Sequence, residues 1–236
     1  MKNRLTIVMA LMVGFAMPAF GDDSGGNSVY IKQSAGDGLD LTITQTGYNN
    51  AIGNENSLTT PEFNFDGDNI TATMIQDGMN NSITGNIVGS GTTADIEQTG
   101  TGNSYVINMG SHGSSDGSLT LKATGNDNTA TLNFATTSSA TGYNYNANIT
   151  GDSNALTSTV NSRYATVDIT STGDNNTINT TQSGFNGSSQ NPGHGISITN
   201  SGSGNSISVS QDGSTARNSA NVNVTGTNAS VSVTQH

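Results

Sequence analysis

The sequence predicts an all-β protein, a β-solenoid of about seven to eight strand-turn-strand rungs whose strands form two facing parallel sheets. Three observations lead to this fold class: a short phrase recurs, apolar residues alternate on both sides of it, and a thick apolar core is excluded. Only 31% of the 236 residues are hydrophobic, 5% are aromatic, and there is no tryptophan. A chain of this composition is either disordered or held together by something other than bulk apolar burial.

The recurring phrase is centred on Gly-x-x-Asn, and its flanks distinguish it from chance matches in a Gly- and Asn-rich chain. Successive glycines lie 31, 22, 25, 26, 22, 29 and 24 residues apart, so a unit of 22 residues with insertions is expected. The last copy is interpreted as a shortened Gly226-Thr227-Asn228. The turn glycines are Gly47, Gly78, Gly100, Gly125, Gly151, Gly173, Gly202 and Gly226. The asparagines are Asn50, Asn81, Asn103, Asn128, Asn154, Asn176 and Asn205.

Apolar residues alternate with polar ones before and after each turn. Leu39, Leu41 and Ile43 precede the first turn, and Ile207 and Val209 follow a later one. Period two is typical of a β-strand, and Gly and Asn between the runs supply the positive-φ positions of a tight turn. One such unit cannot bury its apolar face alone. We therefore expect the units to stack at ~4.8 Å, each strand pairing with its equivalent in the next rung.

Glutamines recur at two positions of the unit. Gln45, Gln76 and Gln98 lie two residues before the turn glycine, whereas Gln182, Gln211 and Gln235 close second strands. Gln33 is interpreted as closing an incomplete rung at the start. Stacked identical amides form hydrogen-bonded ladders in cross-β assemblies, so these glutamines and the turn asparagines are predicted to form structural ladders. The alternative is exposed glutamine at strand ends. The first slot holds Ala123, Ile149, Ser171 and Asn200 in later copies, where the ladder is expected to break.

The N-terminus predicts a secretory signal peptide over residues 1–21. Lys2 and Arg4 precede an uncharged apolar run that ends at Met17, and small residues follow before Asp22. The run is shorter than the ~20 residues of a membrane span, so no membrane insertion is expected after cleavage. The domain prediction is a short Gly/Asp/Ser-rich mature N-terminus over 22–28 and the repeat β-solenoid over 29–236. The mature chain is expected to be secreted.

Charge and residue usage argue against several functional classes. The formal net charge of −11 becomes −13 without Lys2 and Arg4, which disfavours nucleic acid as a partner. There is no cysteine and therefore no disulfide or thiol chemistry. His112, His194 and His236 show no ligand or triad spacing. We expect no enzyme activity, no metal site and no cofactor.

The combination of strand, Gln-x-Gly-x-x-Asn, small residue, strand and closing Gln resembles curlin, the subunit of bacterial curli fibres. The resemblance covers roughly residues 29–236 and is most specific at 39–56, 70–87 and 93–109. It implies an exported subunit that polymerises with itself into extracellular functional amyloid for biofilm matrix and adhesion. It also implies two partners, a nucleator subunit and an outer-membrane secretion pore. Only three copies keep the full phrase, which is a departure from the family pattern.

Self-assembly is also favoured by the sequence of the last strand, and two other functions remain as alternatives. "SVSVTQH" ends on a strand pattern without a charged, Pro-rich or helical cap, and open solenoid ends recruit further strands. The main alternative is a non-polymerising surface β-solenoid, adhesin or phage-type fibre that binds a partner through insertions. Those at 62–69 and 183–195 are expected to protrude. Ice binding through paired threonines such as Thr42 and Thr44 is a remote third.

Overall fold

The computed structural model describes residues 4–10, 26–33, 40–53, 63–66, 69–88, 92–108, 118–134, 144–185, 187–188 and 191–236. Every regular element in these ranges is a β-strand. Within them, no helix is long and apolar enough to cross a membrane. The all-β prediction is therefore confirmed.

The strands are short, from two to nine residues, and each is followed by a turn or loop. The first eleven are β1 (Arg4–Ala10), β2 (Ser28–Val29), β3 (Ile31–Gln33), β4 (Asp40–Tyr48), β5 (Ala51–Ile52), β6 (Phe63–Asp66), β7 (Thr71–Met79), β8 (Ser82–Ile83), β9 (Ile87–Val88), β10 (Thr93–Thr101) and β11 (Ser104–Asn108). The others are β12 (Leu119–Thr120), β13 (Thr129–Phe134), β14 (Asn144–Asn146), β15 (Ile149–Thr150), β16 (Ala155–Asn161), β17 (Thr166–Thr172), β18 (Thr177–Gly184), β19 (Gly195–Ser201), β20 (Ser206–Gly213), β21 (Ser219–Thr225) and β22 (Ser230–Gln235).

The strands stack into a β-solenoid with two long sheets, as the repeat predicts. Sheet 1 has the order β4-β7-β10-β12-β14-β17-β19-β21, with β1 antiparallel on β4 and β15 also paired with β17. Sheet 2 has the order β2-β5-β8-β11-β13-β16-β18-β20-β22. Each strand of sheet 1 is followed in the chain by its partner in sheet 2. The described residues thus contain eight two-strand coils, preceded by one half-coil that β2 begins.

The coils remain in register although the repeats differ in length. Ile43 pairs with Met74, and Met74 pairs with Ile96, so equivalent residues lie directly above one another. The spacings of 31 and 22 residues both satisfy this register, because the extra residues fall in the loops between sheet 2 and the next strand of sheet 1. A one-residue slip would move every core side chain to the solvent face, so the buried pattern fixes the register.

The core lies between the two sheets and is one layer of side chains thick on each side. In β4, Leu41, Ile43 and Gln45 are buried, while the intervening threonines face outward. Parallel strands usually read as continuous apolar runs because both faces are covered. Here each sheet leaves one face in water, and the strands alternate instead. Isoleucine, valine, alanine and leucine dominate the buried apolar set.

The two insertions do not simply protrude, which corrects the sequence prediction. Phe63–Asp66 is strand β6 of a third, three-stranded sheet, β3-β6-β9, and Phe63 and Phe65 are both fully buried. Their ring centroids are 4.8 Å apart. In the second insertion, Gly193 donates to Tyr164 O at 2.9 Å and His194 is fully buried. Apolar and aromatic residues in an insertion continue the core when they occupy the alternate positions of a strand whose side chains point inward.

The N-terminal boundary of the solenoid also differs from the prediction. Ser28 N donates to Asn50 O at 2.8 Å, so the stack takes in the end of the segment assigned to a separate mature N-terminus. Strand β1 lies inside the predicted signal peptide, which remains a prediction. Cleavage there would remove β1 and leave the outer edge of β4 unpaired.

Candidate functional site

The turn between the two strands of each coil has two residues at positive φ. In the first coil these are Gly47 at 101° and Asn49 at 57°. The second positive-φ position is occupied by Asn, Gly, Asp or Ser in different coils, always directly before the predicted ladder position. The turn therefore needs a glycine and then one residue that tolerates the left-handed region. The asparagine that follows in each repeat is not needed for the backbone of the turn and serves another purpose.

The turn glycines form a column in which the backbones of adjacent coils approach closely. A Cβ at Gly78 would collide with the carbonyl oxygen of Gly100. At each turn glycine from Gly47 to Gly202, an added Cβ would likewise collide with the carbonyl oxygen of the next turn glycine. At Gly226 an added Cβ meets nothing within 4 Å. The requirement for glycine in this column thus comes from the next coil as well as from the positive φ, and Gly226 is where the described stack leaves the space beyond it open.

The predicted asparagines form a ladder through the buried side of the turns. Asn81 Oδ1 accepts from the backbone N–H of Asn103 at 3.1 Å and from its Nδ2 at 3.0 Å. Asn103 Nδ2 also donates to Gly125 O at 2.9 Å in the next coil. Side-chain contacts of 3.0 Å link all consecutive members from Asn50 to Asn176. The members are Asn50, Asn81, Asn103, Asn128, Asn154 and Asn176.

The ladder has different ends from those predicted. The ladder has one additional member at its start, Asn27. Its Oδ1 accepts from the backbone N–H of Asn50 at 3.0 Å and from Asn50 Nδ2 at 3.2 Å. At the other end Asn205 Nδ2 turns to Asn200 Oδ1 at 3.0 Å, although its backbone N–H still donates to Asn176 Oδ1. Ala229 follows in the ladder slot. The last turn is therefore a full-length Gly-x-x-Ala, and reading Asn228 as a shortened copy was wrong.

Sequence reasoning missed Asn27 for an identifiable reason. Its turn has no Gly-x-x-Asn, since Ser24 stands where the glycine is expected. The triplet after the turn would have found it, because "NSV" from Asn27 matches "NAI" from Asn50 and "NSI" from Asn81. Asparagine, small residue and apolar residue is the pattern that the ladder position shares.

The first glutamine ladder joins three coils in sheet 1. Gln45 Nε2 donates to Gln76 Oε1 at 2.7 Å, and Gln76 Nε2 donates to Gln98 Oε1 at 2.9 Å. Each amide also donates across the core to sheet 2 backbone, for example from Gln98 Nε2 to Ser82 O at 3.0 Å. All three side chains are fully buried. They join neighbouring coils and also the two sheets.

The second glutamine ladder lies at the opposite edge of the core, in sheet 2. Gln182 Nε2 donates to Gln211 Oε1 at 3.0 Å, and Gln211 Nε2 donates to Gln235 Oε1 at 2.8 Å. Each amide also donates to a backbone carbonyl at the start of a sheet 1 strand, as Gln211 Nε2 does to Gly195 O at 3.1 Å. The structure brings Gln182, Gln211 and Gln235 into one column.

Gln33 does not belong to a glutamine column among the described residues. Its register partner is Phe65 in the third sheet, and Phe65 pairs in turn with Ile87. The slot that holds glutamine in the last coils is therefore apolar in the first ones. The prediction of a ladder position for Gln33 within this chain is corrected accordingly.

The coils between the two ladders are held by apolar and hydroxyl side chains. Ala123 and Ile149 fill the sheet 1 slot, and Val160 occupies the sheet 2 slot beside Gln182. Tyr145 in this region and Tyr105 in the coil of Gln98 are fully buried, and desolvation raises the pKa of both hydroxyls far above its ordinary value. Tyr105 still donates to Glu97 O at 3.1 Å.

The histidines differ in their surroundings. The ring of His194 is enclosed at the corner between coils, where Nδ1 accepts from Asn218 N at 3.0 Å and Nε2 contacts Ser183 O at 2.9 Å. His236 is exposed, and His112 lies outside the described residues. In the described part of the chain, no group of three or more His, Cys, Asp or Glu is placed to hold a metal ion.

The ladders give the stack a direction. In every glutamine-to-glutamine hydrogen bond the amide donates toward the C-terminal coil, and the first acceptors, Gln45 Oε1 and Gln182 Oε1, have no hydrogen-bond partner among the described residues. In the asparagine-to-asparagine bonds the amide donates the opposite way, as Asn81 does to Asn50. The two ends of the molecule consequently present different sets of donors and acceptors.

The C-terminal coil has the least covered core. Val222 and Val224 keep 7% and 6% of their surface, whereas Ile207 and Val209 in the preceding coil keep 0% and 1%. Val231 lies in the last strand and is only partly buried. No described strand pairs with the outer edges of β21 or β22. A row of free backbone donors and acceptors beside apolar side chains is a template for another strand.

No family model, curated protein or solved structure matches the chain.

Proposed function

We propose that this chain is a secreted structural subunit that assembles end to end into an extracellular, curli-like functional amyloid fibre for biofilm matrix and adhesion. The β-solenoid fold supports the proposal, because a stack of identical coils continues wherever its end is not covered. A nucleator subunit and an outer-membrane secretion pore are the partners that the curlin resemblance adds to it. The proposed role is mechanical, with no catalytic step.

The single observation that carries the proposal is the open edge of the C-terminal coil. Its two strands, β21 and β22, have unpaired outer edges in the described structure, and the space above Gly226 is empty. In the coils before it, the same space holds the carbonyl of the next turn glycine. A second copy placed one strand spacing beyond β22, ~4.8 Å, would occupy it.

The other end of the molecule fits this edge in part. The unbroken register of sheet 2 makes Val29 and Val231 equivalent positions. A second copy stacked with its β2 on β22 would therefore place Val29 on Val231.

The substitution Gly226→Ala tests the junction in the predicted mature chain, residues 22–236, which retains all strands from β2 to β22. The added methyl group meets no atom within one copy, so the single chain should fold at the cost of the ~1–3 kcal/mol strain of a non-glycine residue at a φ of 129°. Seeded elongation followed by thioflavin T and electron microscopy should slow by tenfold or more.

Asn228→Ala is the matched control, since it strains the same turn at a φ of 55° but adds no atom toward the missing coil. It should elongate at nearly the wild-type rate. Wild-type growth by Gly226→Ala would contradict a junction at this coil. A wild-type chain that stays a soluble β-rich monomer would contradict the fibre proposal. It would favour the alternative, a surface solenoid that binds a partner through its insertions.

A further inference from the structure

Three adjacent columns on the outer face of sheet 2 are uncharged over six consecutive strands, from β11 to β22. Its central column is Val106, Thr131, Thr157, Asn179, Ser208 and Ser232, which are in direct register. The column on either side contains only Ser, Thr, Asn and Ala. We call these three columns the uncharged face. Asp212 lies on the same side of β20 but outside the face, in the next column beyond Ser210.

Most acidic residues of the described structure lie on other surfaces. Five described acids are on the outer face of sheet 1 and three are in the turns: Asp40, Asp77, Asp95, Glu97 and Asp168, then Asp127, Asp152 and Asp174. With a formal net charge of −11, two copies repel each other when these sides approach. The uncharged face is a broad side of the described structure that carries no carboxylate itself, and Asp212 lies one column beyond its edge.

We propose that the uncharged face is a lateral docking surface for the same face of a second copy, so that fibres consist of paired filaments. Threonine, serine and asparagine side chains of two facing sheets interdigitate in the dry interfaces of cross-β assemblies, with the sheets ~10 Å apart. Val106, exposed by 36%, adds apolar contact at one end of the face. This pairing rests on the proposed function, because it requires filaments.

The size of the face explains why pairing needs filaments. Six strands at ~4.8 Å and five residues at ~3.3 Å give an area of roughly 475 Å² for each copy. Two such faces bury about 950 Å² in total, below the ~1,200 Å² at which stable specific interfaces begin. Single copies therefore stay unpaired. Along a filament the contacts of successive copies add up, since the first contact holds the others in place.

The test compares two triple-lysine variants of residues 22–236 that have equal net charge. Thr157→Lys, Asn179→Lys and Ser208→Lys lie on the uncharged face in three consecutive coils and are all exposed or half-exposed. The control carries Asn148→Lys, Thr170→Lys and Thr199→Lys on the outer face of sheet 1 in the same coils. Filament width and mass per length are measured by electron microscopy.

Wild-type and control filaments should be paired, whereas the uncharged-face variant should form single filaments with half the mass per length. Single wild-type filaments, or pairing of the uncharged-face variant like the control, would overturn the inference while leaving the proposed function intact. Absence of filaments from every chain would overturn both. Single wild-type filaments that adsorb to ice or crystalline polysaccharide through this face would assign it to a solid surface and also overturn pairing.

Discussion

At the scale of single residues, buried amides replace the large apolar side chains that this chain lacks. An unpaired buried amide costs several kcal/mol, so asparagine and glutamine are tolerated in a core only when their neighbours satisfy them. Each coil provides that neighbour for the next one, as Asn81 does for Asn103. Burial of polar groups therefore makes the correct register more favourable than any shifted one.

Asn103→Ala should lower the free energy of unfolding by about 2–4 kcal/mol. The change removes the oxygen that accepts from the backbone N–H and the Nδ2 of Asn128, both at 3.0 Å, and buried orphaned donors cost ~1–3 kcal/mol each. Urea unfolding followed by circular dichroism measures it. The control is Asn223→Ala on the exposed side of β21, which should change stability by less than ~0.5 kcal/mol. Equal effects of the two substitutions would contradict the ladder.

The buried tyrosines predict alkaline sensitivity. Burial raises the pKa of Tyr105 and Tyr145 in the folded chain, so above pH ~10 the unfolded chain ionises first. Their contribution is therefore complete below pH ~10 and is lost as pH rises, by up to roughly 1.4 kcal/mol per pH unit for each tyrosine. Tyr145→Phe should flatten this decline between pH 10 and 11.5. Tyr48→Phe, at a position 51% exposed, should not, and an equal flattening would contradict the assignment.

At the scale of strands and loops, the parity of the apolar residues was sufficient to predict the two sheets, their direction and the stacking. It was insufficient where a coil departs from the repeat. Phe65 continues the core in a third sheet, but its segment reads as a Gly/Asn/Asp-rich insertion. His194 is buried by contacts from neighbouring coils that are distant in sequence. Gln33 keeps the parity of a ladder residue, yet an insertion places Phe65 beside it.

Phe65→Ala should destabilise the chain by about 3–5 kcal/mol, the range of a deleted core aromatic. The reason is that Phe65 is fully buried in β6 and contacts Phe63. Val106→Ala, on the exposed side of β11, provides the comparison and should cost less than ~1 kcal/mol. Thermal and urea unfolding measure both. If Phe65→Ala were as mild as Val106→Ala, the segment would be a protruding loop as the sequence alone suggested.

At the scale of the whole molecule, the fold is quasi-one-dimensional, and each coil contacts chiefly its two neighbours. Deleting residues 155–176 removes one unit and joins Asn154 to Thr177, whose register equivalent is Ala155. The shortened chain should therefore fold and retain assembly. Deleting 155–175 leaves one residue too many, which reverses the parity of every following side chain. That chain should be unfolded by circular dichroism, and equal folding of the two deletions would contradict the coil register.

The central claim is that the coils of one chain continue into the coils of the next, and mass per length of the fibres tests it most directly. Eight coils at ~4.8 Å predict one chain for every ~40 Å of each filament, with a 4.7–4.8 Å reflection along the fibre axis. Scanning transmission electron microscopy of unstained wild-type fibres provides the value. A result near one chain per ~4.8 Å would mean that identical segments of separate chains stack in register. It would contradict assembly from folded solenoids.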